Sequence, residues 1–210
     1  MVGSHEQDTG ELIRRAARGD REAVDGLLAR HRDRLRRMVA IRMDKRLAAR
    51  VDPSDIVQEA LAEACQKLPD YLRGQRVPFY PWLRQLAWER LIGQHRRHVG
   101  AKARSVTREE HDEMALPDHS AVQLAARLLA SGTSPSVRMI RKELRAKVEQ
   151  MLSQMSPPDR EVLVLRYLEQ LSTAETAAVL GLTVDGVKSR QRRALERFSN
   201  LLADHSLGDP

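Results

Sequence analysis

The sequence predicts an all-α protein, with two small helical domains joined by an acidic linker and a tight two-helix corner in the second. Three observations predict this. Apolar residues recur at the steps of one helix face along several stretches. Those stretches start at capping residues (Asp20, Asp52-Pro53, Ser172), and glycines 19 and 181 close two of them. A segment rich in Glu and Asp, broken by Pro117, Gly132 and Pro135, separates the two groups.

Composition bounds the function. With 41% hydrophobic residues in 210, real cores are within reach, in one domain or two small ones. A net charge of +7 and a pI near 10.0 favour a polyanionic partner, nucleic acid before membrane. No apolar run approaches the roughly 18 residues of a membrane span, and no signal peptide is visible, so a cytoplasmic location is expected. The single cysteine, Cys65, excludes an internal disulfide and a cysteine-rich zinc site.

Residues 1–10 are polar and aperiodic and are expected to be a flexible tail. The first domain is placed at 11–104. Leu12, Ile13, Ala16 and Ala17 start a helix that Gly19 ends, and Asp20 caps a longer one with Val24, Leu27, Leu28, His31, Leu35, Met38 and Val39 on one face. His31 lies on the apolar stripe and reads as a partly buried core histidine. At 52–55, Asp52 can cap, Pro53 suits the first helical position and Asp55 complements the dipole. Val57, Leu61, Ala64 and Leu68 then face the core, while Asp55, Gln58 and Glu59 face elsewhere. Cys65, beside that stripe, reads as a small hydrophobe.

Residues 69–78 are expected to form a loop, and 79–98 a helix with Phe79, Trp82, Leu83, Leu86 and Leu91 inward. Five of the seven aromatics fall between 71 and 88, and from 84 to 104 there are six Lys/Arg against one acid, Glu89. Rings beside a cationic stripe suit single-stranded nucleic acid, because bases stack on the rings while cations follow the phosphates. The spacing of Phe79 and Trp82 says core, whereas Trp88 is off the stripe and is the stacking candidate. His95 and His98 have a spacing that can hold a metal, but Arg96 and Arg97 would repel a cation, and no metal or other cofactor is expected. Gly93 inside the helix is a candidate bend.

Residues 105–137 form the expected acidic linker, with a short helix at 121–130 as an option. The second domain is placed at 138–203. Leu144, Val148, Met151, Leu152 and Met155 share a face, and Pro157-Pro158 opens the next helix. Ser172 with Glu175 makes a capping box, Gly181 supplies the left-handed position at the helix end, and Thr183 caps a final helix. Val187, Ala194, Leu195, Phe198, Leu201 and Leu202 form its apolar face. The other face carries Asp185, Lys188, Ser189, Arg192 and Glu196, flanked by Arg190, Arg193 and Arg197. That is a helix-turn-helix with a basic second helix, the form that presents side chains to a major groove. Residues 204–210 are expected to be a short tail.

Three blocks resemble bacterial RNA polymerase sigma factors of the extracytoplasmic-function (ECF) class in the sigma-70 family: DPSDIVQEA (52–60), PFYPWLRQLAWERLIGQHRRH (78–98) and MSPPDREVLVLRYLEQLSTAETAAVLGLTVDGVKSRQRRALERF (155–198). With their spacing they cover most of residues 11–203. The sequence departs from the family pattern in reading Leu86-Ala87-Trp88-Glu89 where I-A-R-N is frequent, Gly93 where Asp is frequent, and Asp185-Gly186 where Gly-Thr is commoner.

The resemblance implies a factor that binds core RNA polymerase and directs promoter recognition, DNA melting and initiation. Asp55, Gln58 and Glu59 would meet the clamp helices of the large subunit. Lys188, Ser189, Arg190, Arg192 and Arg193, with Thr183 and Asp185 beside them, would read the duplex near minus thirty-five. Trp88, Arg90, His95, Arg96 and Arg97 would hold the melted minus-ten strand, and the acidic linker would thread into the polymerase channel. An anti-sigma factor is among the partners the resemblance allows. Two rival classes are an ordinary DNA-binding regulator, which usually needs a dimer stripe that is not evident here, and a nuclease, which needs clustered carboxylates or a histidine constellation. No catalytic residue is expected, and the chain is read as not an enzyme.

Overall fold

The computed structural model describes residues 2–74, 76–98 and 154–206, with positions 117, 120, 123, 124, 127 and 152 between them. All the elements among them are helical. The chain divides into two units, residues 1–104 and 105–210.

In the first unit α1 (Val2–Ala17) packs on α2 (Arg21–Arg42), which packs on α4 (Pro53–Gly74) and α5 (Phe79–His98); a short α3 (Lys45–Ala48) lies against α5. Gly19, at φ 87°, turns the chain after α1, and the Asp20 carboxylate accepts the Ala23 N–H at 3.1 Å to start α2. The core holds Leu27, Leu35, Met38, Met43, Leu47, Ile56, Leu83 and Leu91, all essentially without solvent contact. Each such side chain contributes about 1.5–3 kcal/mol of apolar burial. His31 is buried, with the Phe79 and Tyr80 rings 5.4 and 5.7 Å away.

Four expectations need correction. The flexible tail at 1–10 is instead helical from Val2, and Asp8 pairs with Arg30 of α2 at 2.9 Å. The loop at 69–78 begins only after Gly74, because α4 runs through Pro69. Proline removes one helical hydrogen bond there, yet the next turn is held by packing: Tyr71 stacks on Trp82 at 4.5 Å, meets Phe79 edge-on, and donates to the Val77 carbonyl at 3.0 Å. Burial pushes the Tyr71 hydroxyl up to about 12. Cys65, expected as a small hydrophobe beside the apolar stripe, is exposed. The tail placed at 204–210 is helical as far as Ser206.

In the second unit α6 (Pro157–Leu163) runs into a π-turn (Val164–Leu168), followed by α7 (Thr173–Leu180) and α8 (Val184–Ser206). Val162, Leu163, Val164, Leu165, Leu168, Leu171, Val187, Ala194 and Phe198 are buried, with Leu152 and Met155. Leu144, Val148 and Met151, and the side chains of Leu201 and Leu202, lie outside the described residues. So does the expected linker, except for Pro117 and the helical positions 120, 123, 124 and 127. Among these Leu124 is fully buried, and Arg127 donates to the Tyr167 carbonyl at 2.6 Å.

Candidate nucleic-acid interface

The corner between α7 and α8 is built by local chemistry. The Ser172 hydroxyl accepts the Glu175 N–H at 3.1 Å, and the Glu175 carboxylate accepts the Ser172 N–H at 2.7 Å, so two orphan donors are satisfied reciprocally. Gly181 adopts φ 63°, ψ 31°, a left-handed conformation that a Cβ would strain. The Thr183 hydroxyl accepts the Gly186 N–H at 3.0 Å and caps α8.

Burial of Val187, Ala194 and Phe198 fixes the rotation of α8, while Leu195 is half-buried. The opposite face carries Thr183, Asp185, Lys188, Ser189, Arg192 and Arg193, all exposed, with Arg190 half-buried. Lys188 pairs with Asp185 at 3.1 Å and Arg192 with Glu196 at 3.9 Å. These solvent-facing pairs are weak and salt-screened, so both cations can exchange them for a phosphate or base edge. Arg193 donates to the Ser189 carbonyl at 3.3 Å. Arg197 differs: it pairs at 2.5 Å with the buried Asp159 in the first turn of α6 and holds α8 to the unit.

Behind the face, Gln191 accepts from Arg166 Nε at 3.2 Å and donates to the Tyr167 hydroxyl at 3.2 Å. Both partners belong to the π-turn, and Arg166 also donates to the Leu171 carbonyl. π-Turns concentrate at functional positions, and this one lets consecutive side chains brace the basic helix. Apolar spacing carries no signal for it.

On α5, Trp88 is half-buried, with the guanidinium carbons of Arg42 and Arg84 at 5.6 and 5.8 Å from its ring centroid. Both arginines are buried. Arg84 stands four residues before Trp88, on the same helix face, a spacing visible in the sequence; Arg42 comes from α2 and leaves no local signal. His95 Nε2 lies 3.1 Å from Asp44, and Arg96 and Arg97 are exposed. Arg90 points elsewhere, to Glu63 of α4 at 2.8 Å. Lys67, 2.6 Å from the same carboxylate, is the main cause holding Glu63 below its ordinary 4.5; burial opposes the shift and Arg90 reinforces it. At the start of α4, Asp55 and Gln58 are exposed, whereas Glu59 is half-buried and accepts from Gln94.

Among the described residues no three His, Cys, Asp or Glu lie together as a metal site. Nor is any helix of theirs long and apolar enough to cross a membrane.

These features define a helical protein whose second unit is a helix-turn-helix module. The family model for "Sigma-70, region 4" matches residues 145–198. The RNA polymerase sigma-H factor of Pseudomonas aeruginosa is 30% identical over 203 residues, spanning 95% of each chain. The ECF RNA polymerase sigma-E factor of Escherichia coli is 28% identical over 189 residues, covering 90% of this chain and 91% of that one. Among solved structures, that of CnrH in complex with the cytosolic domain of CnrY matches 94% of this chain and 98% of its own with a TM-score of 0.52 and 25% identity. The chain belongs to the ECF class of the sigma-70 family of RNA polymerase sigma factors.

Proposed function

We propose that this chain is the promoter-specifying subunit of a bacterial RNA polymerase: it binds core polymerase and directs transcription initiation at promoters. The observation that carries this reading is the end-to-end similarity to the sigma-H factor, which spans both units rather than the shared helix-turn-helix alone. The exposed basic face of α8 supports duplex reading by Lys188, Ser189 and Arg192, with Arg190 and Arg193 on the phosphates. The half-buried Trp88, with Arg96 and Arg97 beyond it, supports capture of the melted minus-ten strand. His95 and Arg90 position that helix through Asp44 and Glu63. Asp55 and Gln58 form the polymerase-facing surface of α4, with Glu59 at its edge. The acidic stretch 105–137 enters the positively lined polymerase channel.

The factor works in the cytoplasm and binds without making or breaking a bond. An anti-sigma protein is a fitting regulatory partner; the likeness to CnrH, seen bound to the cytosolic domain of CnrY, supports it. Run-off transcription with purified core polymerase on a genomic fragment library tests the reading. Discrete transcripts that require this chain are expected; none above core polymerase alone would overturn it.

A further inference from the structure

The corner between α2 and α3 follows α5 along one stripe. Arg42 lies beside the Trp88 ring, Asp44 meets His95 at 3.1 Å, and Arg50 donates to the His98 carbonyl at 3.3 Å. Trp88, His95 and His98 are seven and three residues apart, on one side of the helix. The corner therefore borders the stripe on which the melted strand is proposed to lie. It presents Lys45, Arg46 and Arg50, all exposed, with no acid between them. The flanking acids are committed: Asp44 accepts the Leu47 N–H at 2.7 Å, capping α3, and touches His95, and Asp52, past Arg50, accepts the Ser54 N–H at 2.7 Å. Burial alone would raise the pKa of Asp44, and its two bonds outweigh that and keep the carboxyl below its ordinary value.

The contacts across the corner hold these cations in a fixed place beside that stripe, unlike a scattered solvated surface. We infer that Lys45, Arg46 and Arg50 form a second cationic wall that binds phosphates of the DNA strand held along α5. The strand then runs past Trp88 and over the exposed side of α3, which the Asp44–His95 and Arg50–His98 contacts hold against α5. Arg50 is partly occupied by the His98 carbonyl, so Lys45 and Arg46 carry most of the phosphate contact. This inference rests on the reading of α5 as the strand-binding helix.

The test uses holoenzyme and a promoter fragment left unpaired across the minus-ten segment. Its affinity is followed between about 50 and 200 mM salt. Lys45→Ala/Arg46→Ala is expected to make the log–log salt slope shallower by about 1.4, since each single-strand phosphate contact contributes about 0.7. Lys45→Arg/Arg46→Lys should restore it, with co-purification on core polymerase unchanged throughout. A wild-type slope in the alanine pair overturns the inference, as does an unchanged slope with lost co-purification, which assigns α3 to polymerase. Trp88→Ala in the same assay separates the two claims. If it weakens binding while the alanine pair does not, only the second wall fails; if neither does, the strand-binding reading of α5 fails too.

Discussion

Gln94 donates from its side-chain amide to the Glu59 carboxylate at 3.1 Å, joining α5 to α4. Gln94 is buried, so this bond satisfies an amide that water cannot reach. It divides the acidic and amide residues at the start of α4 into two kinds. Asp55 and Gln58 are exposed and can serve a partner at little cost to the fold, whereas Glu59 serves both.

Asp55→Arg/Gln58→Ala should therefore lose co-purification with core polymerase while its circular dichroism stays at the wild-type value and its stability falls only by the dipole contribution of Asp55, about 0.3–1 kcal/mol. A charge reversal at a polar interface weakens docking by several kcal/mol. Glu59→Ala should instead lower stability by about 1 kcal/mol, because it strands a buried donor. Retained co-purification by the Asp55/Gln58 pair would remove this surface from the polymerase interface.

What could be read in the sequence was what local chemistry decides. The capping box at Ser172 and Glu175, the left-handed Gly181 and the Thr183 cap all act within a few residues, and each stands where the spacing placed it. The buried side of α8 follows from Val187, Ala194 and Phe198 in the same way. Contacts between distant residues were not legible. Pro69 reads as a helix stop until Tyr71 is seen stacked on Trp82. Arg90 and His95 read as cations for DNA until Glu63 and Asp44 appear beside them. The helix α3 had a signal, Asp44 three residues before Leu47, too short to stand out without a periodic run.

The Glu63 ion pairs make stability depend on acid in a definite direction. The folded-state pKa lies below the ordinary 4.5, so the group stabilises the fold above that pH and loses the contribution as pH falls through its folded value. Glu63→Gln should be less stable than wild type by about 1 kcal/mol at neutral pH, discounted for the partly exposed Lys67 and Arg90. The gap should shrink steadily below pH 4.5. Urea denaturation of both proteins across that range measures it, and a gap independent of pH would mean that packing, not charge, ties α4 to α5 here.

Trp88→Ala should leave closed-complex formation near wild type and impair strand opening, since stacking on an exposed base contributes about 1–3 kcal/mol. At saturating holoenzyme a pre-melted promoter should restore transcript yield, although the affinity for it stays reduced. Arg42 and Arg84 flank the ring, so part of any effect is structural. Trp88→Phe keeps a stacking face and should recover much of the opening rate. An alanine variant whose only defect is a lowered melting temperature would make Trp88 a packing residue.

Lys188 and Arg192 share the exposed face of α8, opposite the buried Val187 and Ala194, and each holds only a solvent-facing acid. Lys188→Ala and Arg192→Ala should each weaken promoter binding by holoenzyme by roughly 1–3 kcal/mol if the side chain reads a base. A base contact also relaxes sequence preference at one minus-thirty-five position, whereas a phosphate contact weakens all sequences alike and lowers the salt slope by about 1. Titrations at fixed salt against promoters varied base by base distinguish these outcomes. Gln191→Leu is the companion variant: it removes the brace to Arg166 and Tyr167 without touching the exposed face, so it should blur discrimination at several positions at once. Unchanged binding for both Lys188→Ala and Arg192→Ala would mean that a different face of α8 meets the DNA.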